Sequence, residues 1–130
     1  MAVTKERFAE GLTLAQYLDQ MGMNRGRFVQ ALDAATVRPE DTRVLERLGP
    51  ARKLLVITED WCGTSLAYFP PLAKLVEDRP DIEMRIFLRD ENPDVMDQFL
   101  KRGLYRSIPV FAFFDEHMNE LARFIEQRPA

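Results

Sequence analysis

The sequence is poor in thiol and imidazole: it has one cysteine, Cys62, and one histidine, His117, in 130 residues. A lone cysteine cannot form a disulfide within its chain, so the fold does not rest on one. A structural zinc site asks for about four ligands, which this pair cannot supply. The same scarcity suits a reducing compartment, and a cytoplasmic location is expected. Long apolar runs are also missing. Stretches such as Leu54 to Ile57 are far too short to cross a bilayer, so no membrane role is expected. The N-terminus carries Glu6 and Glu10 and no signal-like apolar block, and secretion is not expected. No basic run stands out: Lys+Arg number 18 against 21 Asp+Glu, for a net charge of -3. Nucleic acid is therefore not an expected partner, because phosphate contact relies on clustered cations. There is no internal repeat and no low-complexity tract.

What remains is an ordinary soluble composition, 46% hydrophobic and 30% charged, on a chain long enough for one domain with a real core. The pattern changes near Pro50. Residues 1–50 read as a helical extension. Leu14, Tyr17, Leu18 and Met21 share a helical face, with Thr13 as N-cap and Gly22 as the stop. Asn24 is placed to cap a second helix carrying Phe28, Val29 and Leu32. Pro39, Glu40 and Asp41 suit the first turn of a third, closed by Gly49-Pro50. These helices are expected to cover one face of the rest of the chain, with a dimer surface as the alternative use.

Residues 51–130 read as an α/β unit. Lys53 to Thr58 is a continuous apolar run, the mark of a buried strand. Ser65 to Asp78 reads as a helix and Ile82 to Leu88 as a second strand. A helix is expected from Asn92 (N-cap) and Pro93 to Gly103, with Met96, Phe99 and Leu100 as its apolar stripe. Val110 to Phe114 and Leu121 to Ile125 are two further strands joined by a short turn. The order is β-α-β-α-β-β. The first unit should cross over right-handed between parallel strands, and the last two strands should pair antiparallel, giving a four-stranded mixed sheet.

Chemistry concentrates in Glu59-Asp60-Trp61-Cys62-Gly63-Thr64-Ser65, between a buried strand and a helix start. A cysteine there meets unpaired N–H groups and the positive end of the helix dipole, both of which favour the nucleophilic thiolate. Ser65, one turn on, is placed for its hydroxyl to donate to the sulfur. Gly63 leaves room for a partner's backbone, and Trp61 offers an apolar platform. The plain alternative is a small buried hydrophobe without chemistry. Elsewhere, His117 reads as a solvated turn residue. Arg85, Arg89, Asp90, Glu91 and Asp94 read as a solvated rim at a strand end.

Trp61-Cys62-Gly63, Pro70 eight residues after the cysteine, and Ser107-Ile108-Pro109 before an apolar strand together resemble the thioredoxin superfamily over residues 52 to 126. VITEDWCG, IFLRDEN and SIPVF are similar to bacterial thioredoxin-family proteins, some of which also have one cysteine. The resemblance implies a thioredoxin-like fold and a cis bond before Pro109. An X-Pro bond is otherwise cis in only about one case in twenty. It also implies one bent helix through Pro70, where an isolated helix would be broken at a cost of roughly 3 kcal/mol.

The departures set what activity is implied. The family's second, resolving cysteine is replaced by Ser65, and its buried acid by Val56, so a dithiol cycle is not expected. Glu59 and Asp60 sit at the strand end, where solvation or capping is the expected role and where their charge would oppose a thiolate. No C-terminal helix is evident, which leaves one sheet face to be covered by residues 1–50 or by a second subunit. Two functions stand beside a third possibility, a purely structural domain whose N-terminal helices bind a partner. One is monothiol thiol–disulfide exchange, such as deglutathionylation, with Cys62 and Ser65 catalytic and Trp61, Gly63, Thr64, Ile108 and Pro109 holding substrate. It needs no bound cofactor, only glutathione or another small thiol as co-substrate, and its partners are protein thiols and disulfides. The other is a non-catalytic or redox-sensing module that binds an extended peptide segment beside Pro109. A homodimer is compatible with either.

Overall fold

The computed structural model describes residues 3–125. Four helices come first: α1 Lys5–Ala9, α2 Leu14–Gln20, α3 Arg25–Ala34 and α4 Pro39–Arg47. β1 (Lys53–Thr58), α5 (Gly63–Glu77) and β2 (Glu83–Leu88) come next. A 3-10 turn at Arg89–Glu91 and the short α6 (Pro93–Met96) lead to β3 (Val110–Phe114) and β4 (Glu120–Ile125). The sheet order is β2-β1-β3-β4. β1 runs parallel to β2 and antiparallel to β3, and β3 is antiparallel to β4. This is the mixed α/β sheet expected from the apolar runs, and it has the thioredoxin-like arrangement. The expected absence of a C-terminal helix concerns residues 126–130, which lie outside the described residues.

Strand alternation divides the core into two layers. On one face Leu54, Val56, Ile86 and Phe111 pack against Phe69, Ala73 and Val76 of α5, and against Tyr17, Phe28 and Leu45 of the first four helices. The rings of Tyr17, Phe28 and Phe69 meet pairwise at 5.4–5.8 Å. Such aromatic pairs add about 0.5–1.5 kcal/mol each beyond the area they bury. On the other face Leu55, Ile57, Phe87, Val110, Ala112 and Phe114 are covered by Val3, Phe8, Val95, Met96 and Phe99. Residues 1–50 therefore reach both faces of the sheet, not one.

The crossing between faces occurs at the β2 edge. Leu12 pairs with Ile86 in an isolated antiparallel bridge, N–H to carbonyl at 2.7 and 2.8 Å. Arg85 donates to the carbonyls of Ala9 (2.9 Å) and Gly11 (3.1 Å). Arg7 makes a two-pronged contact with Asp94 at 2.9 Å and reaches Asn92 at 2.8 Å. The charges read as a solvated rim thus fasten α1 and the turn after it to the sheet.

Three local expectations change. Thr13 does cap α2, in a reciprocal box with Gln16, but Asn24 makes no cap hydrogen bond and stands at φ 61. Asn92 likewise does not cap α6; its amide donates to Leu88 O at 2.8 Å. The helix expected to run to Gly103 stops at Met96, because so short a segment takes its shape from packing of Val95, Met96 and Phe99 and not from propensity. Gly103 instead occupies a positive φ of 71° in the turn bridging Lys101 and Tyr105. By contrast α5 does run through Pro70 and Pro71 as one helix.

Gly11 passes directly over Phe87. A Cβ there would lie 2.7 Å from the Phe87 ring and 2.9 Å from Arg85 Cβ. Gly11→Ala is expected to destabilise the protein by about 1–3 kcal/mol, read as a lower urea midpoint. An unchanged midpoint would mean that the edge crossing is not tightly packed.

Candidate active site

β1 ends in Thr58, which is fully buried, and the chain turns through Glu59-Asp60-Trp61 into α5. Cys62 is the N-cap of that helix, at φ -84 and ψ 116. Its sulfur is the capping acceptor: Ser65 N–H points at Sγ with an N···S distance of 3.4 Å. A 15-residue helix therefore directs one free amide of its first turn, and the positive end of its dipole, at the sulfur atom. Cys62 is half-buried and forms no disulfide.

The loop before β3 closes the other side. The Ile108–Pro109 bond is cis, and Ile108 O lies 3.9 Å from Sγ. Ile108 and Pro109 are both buried. Two pairs of residues more than forty positions apart, Cys62 with Ser65 and Ile108 with Pro109, thus converge at the end of the sheet where β1 stops and β3 begins. Val56 is fully buried within the apolar layer under α5, so no acid stands beneath the thiol at that strand position.

Two of the expected roles take a different form. Ser65 meets the sulfur through its backbone amide and not its hydroxyl. Ser65 Oγ is buried and has no hydrogen-bond partner among the described residues, and the crevice it lines with Tyr17, Met21 and Cys62 is too narrow for a water molecule. Thr64, expected beside Trp61 and Gly63 on the substrate side, is buried. Gly63 is on the exposed rim, where an added methyl would meet nothing within 4 Å. Trp61 is 46% exposed, and the Arg89 guanidinium lies over its ring at 5.0 Å. Arg89 also donates to Arg106 O at 3.3 Å, so it links the tryptophan to the loop that carries Pro109. The stacked arginine was hidden in the sequence among neighbouring charges. His117 sits apart, in the turn between β3 and β4, against Glu116.

The two carboxylates before the cysteine are occupied. Glu59 accepts Asp90 N–H at 2.9 Å. Asp60 accepts Gly22 N–H at 2.8 Å and Met23 N–H at 3.1 Å. Burial raises the Glu59 carboxyl above the ordinary value of 4.5, and the Asp90 amide offsets part of that rise. Behind them, burial pushes the Tyr17 phenol up to about 12, opposed by a hydrogen bond with Thr58.

A half-buried sulfur capping a helix, beside a cis-proline loop at the end of a four-stranded mixed sheet, defines a thioredoxin-fold protein with one thiol at the end of its sheet. A family model described as thioredoxin matches residues 11–130, and the chain belongs to the thioredoxin family. The match takes in most of the helical extension as well as the sheet. Among solved structures, the chain is similar to a Pseudomonas aeruginosa protein of unknown function, at 26% identity and a TM-score of 0.76, over 98% of this chain and 78% of that one. It is also similar to an HIV epitope-scaffold, at 25% identity and a TM-score of 0.75, over 95% of this chain and 78% of that one. No curated protein matches. No helix among the described residues is long and apolar enough to cross a membrane.

Glu59 provides a pH test. Its folded-state affinity for a proton exceeds that of the unfolded chain, so folding is favoured with Glu59 protonated. Stability is then lost as pH rises from about 4.5 through the higher folded value. Glu59→Gln keeps an oxygen for the Asp90 amide and removes the charge. The variant is expected to unfold at higher urea than the parent at pH 7, with the difference vanishing below pH 4. A variant less stable at pH 7 would show that the charge is favourable where it lies.

Proposed function

We propose that the protein is a monothiol thiol–disulfide exchange protein acting through Cys62, with glutathionylated protein thiols as substrates and glutathione or another small thiol as co-substrate. The observation that carries this reading is the sulfur itself: it caps α5 through Ser65 N–H, stays half-open to solvent and faces Ile108 O. The Cys62 thiolate attacks the glutathione sulfur of a mixed disulfide. The bond between that sulfur and the protein substrate breaks, a Cys62–glutathione disulfide forms, and the substrate leaves as a thiolate that takes a proton. A second glutathione thiolate then attacks the Cys62-bound glutathione, freeing Cys62 and releasing oxidised glutathione. One exchange run twice needs no second protein cysteine. Trp61 and the Ile108–Pro109 backbone hold the substrate segment, and Gly63 lets it approach. Such chemistry belongs in a reducing cytoplasm.

A second reading is a binding or redox-sensing module without turnover. Val56 beneath the thiol and the unengaged Ser65 hydroxyl favour it. An extended peptide beside Pro109 would then be the ligand.

Incubation of the native protein with oxidised glutathione, followed by intact-mass measurement, separates them. Addition of one glutathione, absent in Cys62→Ala, is the expected result. An adduct that forms only after unfolding would reject exchange and leave the binding module. Ser65→Cys is expected to restore a resolving thiol, so that the glutathione adduct is replaced by an internal disulfide two hydrogens lighter than the dithiol. Persistence of the adduct in this variant would show that the serine site cannot support the second step.

A further inference from the structure

The corner that delivers Cys62 is not held by β1 and α5 alone. Asp60, two residues before the thiol, takes the N–H groups of Gly22 and Met23 on a single carboxylate oxygen. Its own carbonyl accepts from Asn24 Nδ2 at 2.8 Å. Asn24 stands in the left-handed region at φ 61, and its side chain reaches the Asp60 carbonyl and caps nothing in α3. Three hydrogen bonds thus join one residue of the candidate-site corner to Gly22, Met23 and Asn24 in the turn between α2 and α3. The turn is itself braced, because Tyr17 on one side and Phe28 on the other are packed on Phe69 of α5.

The sulfur needs this support. Cys62 is tied by its own amide to Glu59 O at 3.2 Å and by the 3.4 Å sulfur cap, both within its own turn. Neither contact fixes the corner against the rest of the molecule. Glu59 holds the far side through Asp90 N–H, and Asp60 holds the near side through the helical extension. Slack at residue 60 would rotate Sγ away from Ser65 N–H and Ile108 O, which converge on it from different elements.

We infer that Asp60 is a positioning residue for Cys62, acting with Asn24, and that the helical extension is thereby a working part of the thiol site. This rests on Cys62 as the exchanging thiol and goes beyond that reading by assigning a role to residues that meet neither sulfur nor substrate.

Three variants of the full chain isolate the joint. Asp60→Asn removes the charge and keeps an acceptor oxygen. Asp60→Ala removes both. Asn24→Gly deletes the amide donor, while glycine takes the positive φ without strain. The rate of adduct formation with oxidised glutathione is expected to fall about fivefold in Asp60→Ala relative to Asp60→Asn, and by a similar factor in Asn24→Gly relative to the parent. Asp60→Ala keeps the carbonyl that accepts from Asn24, so Asp60→Ala with Asn24→Gly removes all three hydrogen bonds and should be no faster than the slower single variant. Loss of a merely structural contact would lower the urea midpoint and leave the rate per folded molecule unchanged, and that outcome overturns the inference. Equal rates for Asp60→Ala and Asp60→Asn, or a double variant faster than the slower single variant, overturn it as well. Cys62 alkylation by iodoacetamide, measured in parallel, does not depend on exchange activity. If the parent takes up no glutathione, the proposed function fails while the same order of alkylation rates still supports positioning; alkylation rates that do not follow that order reject positioning alone.

Discussion

The site depends on a helix whose first turn is capped by sulfur. Helices usually begin on an oxygen from serine, threonine, aspartate or asparagine. Here α1 and α2 follow that rule with Thr4 and Thr13, and α5 departs from it with Cys62. The cap that starts α5 also holds the sulfur in place, and Ser65 contributes through its backbone. That explains how a serine can stand at the position without its hydroxyl touching the sulfur.

Around that cap the molecule is organised in two directions. β1 is buried on both faces and sets the Thr58–Cys62 corner at the end of the sheet. The chain segments before β1 wrap the sheet from both sides and return to the same corner, with Tyr17 and Phe28 beneath α5 and the Gly22–Asn24 turn on Asp60. The rim arginines serve the same end. Arg89 joins Trp61 to the loop of Arg106, and Arg7 and Arg85 hold α1 to the sheet. A chain with one thiol and no disulfide thus fixes its site by many separate small contacts.

Much of the framework was legible in residue order. KLLVIT, the run through IFL and VFAFF read as strands because continuous apolar runs and strict alternation are properties of the sequence itself. Thr13 as a cap and Pro39 at a first turn were legible for the same reason. The cis bond before Pro109 came from the family resemblance and not from the residues. Contacts between distant segments could not be read. Asn24 precedes a helix and looks like its cap, but it turns to a carbonyl 36 residues away. Asp60 looked solvated because its partners are backbone amides, which leave no mark in the sequence. The helix expected after Asn92 was shortened by packing of Val95, Met96 and Phe99, and α1 was too short to show a periodicity.

The Leu12–Ile86 bridge has a consequence for how this sheet can meet others. By laying Leu12 against β2, the protein occupies the N–H and carbonyl of Ile86, groups that a neighbouring molecule would otherwise use to add a strand. Lateral growth of the sheet along that edge is thereby interrupted from within.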